Sequence, residues 1–219
     1  MDGYIKYVYF GDNAGTLWKV DLSDTDTSKW TCNVLFTPPG GKNKPIFFPP
    51  AVVKNDAKQI LVLFGSGDDF NILTPDTSYM WEVWDNNGVG QIIGSNWPKE
   101  LDNQKVLATP VVANNVVYFT TWDYTGGGQN CGAGDGLLYG FKTSTGAVPG
   151  GVAGLTLLDA QGNPQQAVSS IDLGPGIPSK PVVTNGVIYT TASVSAKTIT
   201  ATKIQGWPIT IVKSWREVF

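Results

Sequence analysis

Apolar residues along this chain occur in short runs that are separated by polar or glycine-containing segments. Three of the runs open with proline followed by small or β-branched residues: Pro50–Val53, Pro110–Ala113 and Pro181–Thr184. After a polar turn, each is followed by a second apolar run: Ile60–Phe64, Val116–Thr121 and Val187–Thr191. Short runs rich in β-branched and aromatic residues, divided by such turns, are typical of β-hairpins. The pattern therefore predicts three hairpins of similar design.

The turns inside two of these hairpins carry a conformational signal. Asn114–Asn115 and Asn185–Gly186 are residue pairs that tolerate the positive φ angles of a two-residue hairpin turn. A third run completes each unit: Tyr79–Trp84, Leu137–Lys142 and Thr198–Ile204. The N-terminal stretch has only the second and third runs, Tyr7–Phe10 and Thr16–Val20, without a proline-valine opening. We therefore expect a first unit that lacks its opening strand.

The repetition of these units predicts the fold class. Repeated antiparallel units of three or four strands are typical of β-propellers, and no long apolar stripe of helical period accompanies them. The sequence predicts an all-β β-propeller of quinoprotein-like repeats with about four blades, either closed or an arc of a larger ring. The blades are expected at roughly 4–45, 46–105, 106–175 and 176–219, with Pro208–Val218 as the outer strand of the last one.

Large aromatic residues recur on the predicted third strands: Trp18, Trp81, Trp84, Tyr139 and Phe141. Packing between blades is their favoured role, because large aromatic side chains dominate core energetics, and stacking against a ligand is the alternative. An arc that does not close leaves one face of its first unit uncovered. We expect Tyr7, Tyr9 and Trp18 to form an apolar patch there.

Composition excludes several classes of function. Charged residues make up 15% of the chain and the formal net charge is -3, so the basic surface of a nucleic-acid-binding protein is missing. No apolar run approaches the roughly 20 residues of a membrane-spanning helix. The start, Met1–Tyr4, has no signal-peptide pattern, which leaves either an intracellular protein or a chain cut from a longer precursor.

The absence of histidine removes the commonest general base and metal ligand. Nucleophile systems of the Ser-His-Asp and Cys-His types are therefore excluded within this chain. Cys32 and Cys131 either form a single bridge or remain as two thiols. We expect no catalytic residue, no cofactor site and no metal site, and hence a protein that is not an enzyme.

Two acidic stretches and one loop are the remaining candidates for chemistry. Asp21, Asp24 and Asp26 supply oxygen ligands but lack the glycine and the closing glutamate of a calcium loop, so a solvated turn is favoured; the Asp68–Asp69 pair is interpreted in the same way. The glycine-rich loop of residues 124–135 lacks a phosphate-binding pattern. As a long loop on a rigid scaffold, it is the candidate surface-binding loop, and its candidate residues are Trp122, Tyr124, Cys131 and Asp135.

Several segments resemble the C-terminal propeller of the PilC/PilY family of type IV pilus tip-associated adhesins and biogenesis factors. Asp2–Leu22 is similar to that family's signature of a tyrosine, Gly-Asp, a small-residue turn and Leu-Trp. Phe64–Gly67 resembles a strand end of the family, and Val117–Thr121, Cys131 and Gly136–Tyr139 resemble a strand, a cysteine-bearing loop and the next strand. The ending Ser214–Glu217 matches the family's Ser-Trp-Arg-Glu close.

The resemblance implies a secreted or cell-surface protein, at the pilus tip or outer membrane, that promotes pilus biogenesis and adhesion without catalysis. It implies pilins, other tip proteins and the remaining blades of a parent protein as partners, with the host or surface ligand unknown. It also implies a calcium loop in the parent protein. At most the tail of that loop, Asp2–Gly3, could be present here, and Lys6 stands where the closing carboxylate is expected, so calcium in this chain is disfavoured.

Two other functions remain open. The chain could be an envelope scaffold that docks other proteins, since scaffolds and adhesins both use exposed loops on a rigid ring. It could also be a quinone-dependent dehydrogenase-like protein, which it resembles in repeats such as Thr143–Gly146. That enzyme class generally uses an adjacent cysteine pair, whereas Cys32 and Cys131 lie far apart in the sequence.

Overall fold

The computed structural model describes residues 5–125, 134–149, 155–158, 164–184, 186–192 and 200–203. Within these ranges the chain is all-β: it contains no α-helix, and a 3-10 turn lies at Thr27–Lys29. The predicted all-β class is therefore confirmed. Among the same residues, no helix is long and apolar enough to cross a bilayer.

The strands form four antiparallel sheets and one separate hairpin. Sheet I contains β1 (Tyr7–Gly11), β2 (Leu17–Asp21) and β3 (Thr31–Phe36), in that order. Sheet II contains β4 (Ala51–Lys54), β5 (Ile60–Ser66) and β6 (Thr77–Asn86), and β6 also pairs with β7 (Val89–Ile92) and β8 (Lys99–Asp102).

Sheets III and IV repeat this order. Sheet III contains β9 (Gln104–Lys105), which pairs with β11, and then β10 (Val111–Ala113), β11 (Val116–Asp123), β12 (Asp135–Lys142) and β15 (Ser170–Pro175). The separate hairpin between β12 and β15 contains β13 (Leu155–Leu158) and β14 (Pro164–Val168). Sheet IV contains β16 (Val182–Thr184), β17 (Val187–Thr190) and β18 (Thr200–Lys203).

The predicted hairpin turn at Asn114–Asn115 is confirmed. Ala113 pairs with Val116, and the two asparagines between them have φ angles of 52° and 58°, as a type I′ turn requires. In sheet IV, Thr184 pairs with Val187, which leaves two residues for the connection. Gly186 has a φ of 72° there, while Asn185 lies outside the described residues.

The sheets stack face to face through three buried clusters, one between each successive pair of sheets. Because side chains alternate along a strand, each middle sheet contributes to two clusters. In β5, Val62 and Phe64 lie in the cluster shared with sheet I, whereas Leu61 and Leu63 lie in the cluster shared with sheet III. The proline-led strands β4, β10 and β16 are neighbours in the stack, and so are the outer strands β3 and β7.

The same close contact recurs where one unit leads into the next. Four positions before its opening proline, each of the second and third units has an aliphatic residue, Ile46 or Val106. Ile46 packs on Gly11 at the end of β1, and Val106 packs on Gly65 near the end of β5. A Cβ atom on either glycine would lie 2.3 Å from the aliphatic side chain. Glycine at these two positions therefore lets successive units approach closely.

The turn between β1 and β2 explains much of the sequence signature noted above. The Asp12 carboxylate accepts hydrogen bonds from the backbone N–H groups of Ala14 and Thr16, both at 2.9 Å. Its other oxygen accepts a 2.7 Å bond from the Trp18 indole. Burial alone would raise the pKa of Asp12, but these hydrogen bonds hold it below its usual value. The Gly-Asp and Leu-Trp parts of the signature thus act together to fix the turn between β1 and β2.

Sheet I lacks a proline-led strand among the described residues, as the sequence predicts. The predicted patch of Tyr7, Tyr9 and Trp18 is wrong, because Tyr7 and Tyr9 lie on the opposite face of sheet I from Trp18, which pairs with Phe10. Tyr9 is only 9% exposed, since it faces sheet II, where its hydroxyl donates a 2.7 Å hydrogen bond to Asp85. Alternation along β1 turns Val8 and Phe10 the other way, and they are 40% and 41% exposed. Pro208–Val218, the predicted last strand, lies outside the described residues.

Candidate binding face

The candidate loop predicted from the sequence begins and ends at the same edge of sheet III. Asp123 at the end of β11 lies opposite Asp135 at the start of β12 in the strand register. Tyr124 is partly exposed, and its ring centroid lies 6.4 Å from that of Trp122. Cys131 lies outside the described residues. The structure therefore brings Trp122, Tyr124 and Asp135 together at the base of one loop.

Trp122 lies buried beneath the two ends of this loop. It is 3% exposed, and a Cβ atom on Gly134 would lie 2.4 Å from its indole nitrogen. Gly134 also has a φ of 61°, a conformation that side chains disfavour. The glycine thus crosses directly over the indole. Trp122 positions the loop, whereas Tyr124 and the two carboxylates are the residues that reach solvent.

A short strand from the preceding connection joins this edge, which the sequence did not predict. In β9, Lys105 pairs with Trp122 and Gln104 pairs with Asp123. The Gln104 side-chain oxygen accepts a 2.7 Å hydrogen bond from the Thr121 hydroxyl and a 3.1 Å bond from the Tyr139 hydroxyl. Gln104 therefore ties β9, β11 and β12 together and gives the loop a rigid base.

Lys105 is the most unusual residue of this region. Its side chain is fully buried, and its ammonium lies 4.0 Å from an Asp76 carboxylate oxygen, too far for a hydrogen bond. The other Asp76 oxygen accepts a 2.6 Å hydrogen bond from Lys44. Asp76 is thus placed between two lysines that come from the connections before sheet II and sheet III. The hydrogen bond from Lys44 ties Asp76 to the connection before sheet II, and the charge of Lys105 faces the same carboxylate from the connection before sheet III.

Two further carboxylates of that loop have shifted pKa values in opposite directions. Hydrogen bonds from Asn71, chiefly from its side chain, lower the pKa of Asp68. Burial raises the pKa of Asp69 to about 6; the Lys105 ammonium opposes this rise, and the Asp68 carboxylate adds to it. The charge of this region therefore depends on pH in the range just below neutrality.

The loop of residues 67–76 presents apolar side chains to solvent. Phe70 is 77% exposed and Leu73 is 66% exposed. Asp68 fixes the loop by accepting a 3.0 Å hydrogen bond from the Phe70 N–H and a 2.7 Å bond from the Asn71 amide. Phe47 supports the tip, with its ring 5.0 Å from that of Phe70 in an edge-to-face arrangement. Exposed apolar groups on a fixed loop suit contact with another macromolecule.

We define the candidate binding face by Phe70, Leu73, Tyr124, Asp123 and Asp135, supported underneath by Trp122, Gln104 and Lys105. Sequence reasoning identified part of this face but missed Phe70, Leu73, Gln104 and Lys105. A phenylalanine directly after Asp68–Asp69, in a segment that follows a strand end, was the signal in the sequence that could have pointed to the second loop. The burial of Lys105 depends on contacts between units and has no local sequence signal.

The other predicted candidates have structural roles. In the acidic turn after β2, Asp21, Asp24 and Asp26 each accept a hydrogen bond from the backbone N–H two residues ahead, as turn-forming aspartates do. The aromatic Trp81 is fully buried and Phe141 is 7% exposed, which agrees with packing between units. Over the part of the chain that the structure describes, no group of three His, Cys, Asp or Glu side chains could hold a metal ion.

Comparisons with known proteins give a match to the fold. A scan against protein-family models finds no match, and no curated protein matches the sequence. The crystal structure of the Pseudomonas aeruginosa PilY1 C-terminal domain is similar, with a TM-score of 0.65 at 14% sequence identity. The alignment covers 94% of this chain and 58% of the PilY1 chain. The predicted resemblance to the PilC/PilY family is thus confirmed as a structural match to one of its domains.

Proposed function

We propose that this chain is part of a non-enzymatic protein that is associated with type IV pili and acts at the cell surface. The observation that carries the proposal is the structural match to the PilY1 C-terminal domain over 94% of the chain. The Asp12–Trp18 turn supports it, because the residues that gave the sequence resemblance hold a defined local structure. The proposal includes a propeller arrangement of the four sheets, with unit boundaries near residues 45, 105 and 175.

In this proposal, the candidate binding face is the part that contacts a partner, and the stacked sheets are its scaffold. Phe70 and Leu73 provide apolar contact area, and Asp123 and Asp135, which lie opposite each other in the register of β11 and β12, provide acceptors. Exposed aromatic and aliphatic side chains on pre-organised loops lose little conformational entropy when they bind. A pilin or another protein of the pilus tip is the partner we propose, with the chain located outside the cell or at the outer membrane.

The proposal assigns no catalytic residue. The chain contains no histidine, and every polar group of the candidate binding face described above either fixes a loop or reaches solvent. A protein of this kind is expected to show no dye reduction when calcium, a quinone and an alcohol are added. Turnover above background in that assay would replace the proposal with the dehydrogenase-like function.

Binding to assembled pili tests the proposal directly. Purified type IV pilus filaments are passed over the immobilised chain in a biolayer interferometer. We expect saturable binding that the double substitution Phe70→Ser/Leu73→Ser weakens at least about tenfold, the effect of losing about 1.4 kcal/mol. The matched control is Val89→Ser/Ile92→Ser, which removes two exposed aliphatic side chains from β7.

The two possible failures have different meanings. An absence of binding by the unsubstituted chain contradicts the pilus association itself. Binding that both double variants retain contradicts only the assignment of the binding face, because the contact must then lie elsewhere on the chain.

A further inference from the structure

The lysine beneath the candidate binding face is buried without a hydrogen bond. The Lys105 side chain is fully buried, and its ammonium has no hydrogen-bond partner among the described residues. A Cβ atom on Gly67 would lie 3.8 Å from the Lys105 Cδ atom, so the stem of the lysine runs directly behind that glycine. A buried charge without hydrogen bonds costs several kcal/mol. The ionised form of this amine is therefore expensive where it lies.

A carboxyl group lies within reach of this amine, at the end of the loop of residues 67–76. The Oδ2 atom of Asp76 lies 4.0 Å from the Lys105 Nζ atom. Reacting atoms in a near-attack arrangement are about 3 to 3.5 Å apart, so a small side-chain movement brings the two groups together. The backbone fixes their relative positions, because the Asp76 carbonyl accepts a 3.1 Å hydrogen bond from the Asn103 N–H, and β6 pairs with β8 from the next residue onward.

A second lysine lies on the other side of the same carboxyl group. The Asp76 Oδ1 atom accepts a 2.6 Å hydrogen bond from the Lys44 ammonium. A cation in this position stabilises the negative charge that the oxygen gains when a nucleophile attacks the carboxyl carbon. The side chains of Lys44 and Asp76 are 29% and 23% exposed, so a released water molecule has an exit to solvent. Because Lys44 is hydrogen-bonded and reaches solvent, its ammonium lacks the penalty that burial imposes on Lys105.

Asp69 supplies a group that can carry protons between the amine and a departing oxygen. Burial raises the pKa of Asp69 to about 6, and the Lys105 ammonium opposes this rise. A carboxyl group whose pKa lies near neutrality both accepts and returns protons efficiently. The neighbouring Asp68 lacks this property, since hydrogen bonds from Asn71 lower its pKa.

We infer that the Lys105 amine and the Asp76 carboxyl group condense into an amide bond within the folded chain. After Nζ has lost a proton, its lone pair attacks the Asp76 carboxyl carbon and forms the C–N bond. The C–Oδ2 bond then breaks, and its electron pair leaves with the oxygen. That oxygen takes up two of the three protons of the original ammonium and departs as water. Ammonium and carboxylate thus give amide and water, and the reaction balances without a co-reactant.

The bond replaces an unpaired buried charge with a neutral amide, which removes the cost of keeping that charge out of water. It joins the residue directly before β6 of sheet II to β9, which pairs with β11 of sheet III. Two successive sheets thereby become covalently linked. The inference holds whether or not the protein acts at a pilus.

Mass spectrometry of the full chain, incubated at pH 7 and then denatured, tests the inference. We expect an intact mass about 18 Da below that of the sequence, which is the mass of one water molecule. Trypsin does not cleave after an acylated lysine, so digestion is expected to give a branched peptide that joins residues 59–99 to residues 100–142. A chain of full mass, or a branch through Lys44 instead of Lys105, would overturn the inference.

A substitution separates this bond from other losses of water, such as cyclisation of an aspartate onto its own backbone. Lys105→Met keeps an unbranched apolar stem but has no amine, and it is expected to restore the full mass. A loss of water that persists in this variant would contradict the assignment.

The part played by Asp69 is measured in chain produced by cell-free synthesis, as the fraction of branched product over time. Asp69→Asn is expected to slow bond formation at least about tenfold, because the amide cannot carry the proton. The matched control is Asp68→Asn, which removes the neighbouring charge and is expected to have a smaller effect. Circular dichroism checks that both variants fold. Equal rates in the two variants would overturn the assignment of Asp69 as the proton carrier.

Discussion

Sheets I and II are two versions of one unit, and they differ most in their surroundings. Each carries a patch of two valines, a phenylalanine and a tryptophan on one face, formed by two cross-strand pairs. The pairs are Val8–Val20 and Phe10–Trp18 in sheet I, and Val62–Val83 and Phe64–Trp81 in sheet II. Trp18 reaches solvent and donates its indole N–H to the Asp12 carboxylate at 2.7 Å. Trp81 is fully buried and donates instead to the Ser66 hydroxyl at 3.3 Å. A charged acceptor is retained where water reaches it, and a neutral acceptor is used where a charge would be desolvated.

The polar contacts that cross the two interfaces of sheet II differ in a similar way. At the interface with sheet I, the Asp85 carboxylate accepts from Lys19 at 2.6 Å and from the Tyr9 hydroxyl at 2.7 Å. At the interface with sheet III, the fully buried Glu82 accepts one 2.6 Å bond from the Ser144 N–H, and its other oxygen has no partner among the described residues. One carboxylate is neutralised by a lysine, whereas the other is stabilised by a single amide.

These differences change the two pKa values in opposite directions. For Asp85, burial alone would raise the pKa, but the hydrogen bonds from Lys19, Tyr9 and Gly88 hold it below the usual value. For Glu82, burial raises the pKa to about 7, and the bond from Ser144 only partly offsets this. A buried acid of β6 therefore stays ionised where the neighbouring sheet supplies a cation, as for Asp85, and is held towards its protonated form where it does not, as for Glu82.

The largest expected effect concerns the two tryptophans. Trp81→Ala removes a fully buried side chain and is expected to lower the free energy of unfolding by about 4 kcal/mol. Trp18→Ala removes the equivalent side chain from a face open to solvent, so we expect a loss of less than about 2 kcal/mol. Urea denaturation followed by far-ultraviolet circular dichroism measures both. Equal losses would contradict the difference in burial.

The ion pair between sheets I and II gives the next effect. Asp85→Ala leaves the Lys19 ammonium and the Tyr9 hydroxyl without their acceptor, and is expected to cost about 3 kcal/mol of unfolding free energy. The matched control is Asp24→Ala, which breaks the exposed Asp24–Lys29 pair of 3.4 Å and is expected to have a much smaller effect. Because the pKa of Asp85 is lowered, its contribution is present at neutral pH and is lost as the pH falls towards its folded pKa.

The substitution Glu82→Gln is expected to change the free energy of unfolding by a smaller amount and to raise it. The folded pKa of Glu82, about 7, lies above the usual value of 4.5, so the folded chain holds a proton that the unfolded chain has already released. Stability therefore falls as the pH rises between these two values. Glu82→Gln removes the charge and is expected to gain about 2 to 3 kcal/mol at pH 8 and almost nothing at pH 4. Thermal denaturation across this range provides the test, and a gain that is the same at both pH values would contradict the account.

The sequence predicted the repeat because its strongest signals are local. The proline-led valine runs and the Asn114–Asn115 turn favour their backbone conformations through neighbouring residues alone. The β4–β5 and β10–β11 hairpins were therefore predicted correctly. The outer strand β3 was not predicted, since Thr31–Val34 is exposed and its strand conformation depends on pairing with β2. The same limit applies to the candidate binding face. Lys105 and Glu82 are ordinary charged residues in the sequence, and only contacts between sheets bury them.

The patch of two valines, a phenylalanine and a tryptophan is buried in sheet II and open in sheet I. Val8→Cys and Val62→Cys, made separately in a chain with Cys32→Ser and Cys131→Ser, compare the two equivalent positions directly. We expect the thiol at position 62 to react with maleimide at least about 100-fold more slowly than the thiol at position 8, because labelling at position 62 requires local opening. Equal protection at both positions would mean that the sheet I face is already covered, and equally fast labelling would mean that sheets I and II do not stack.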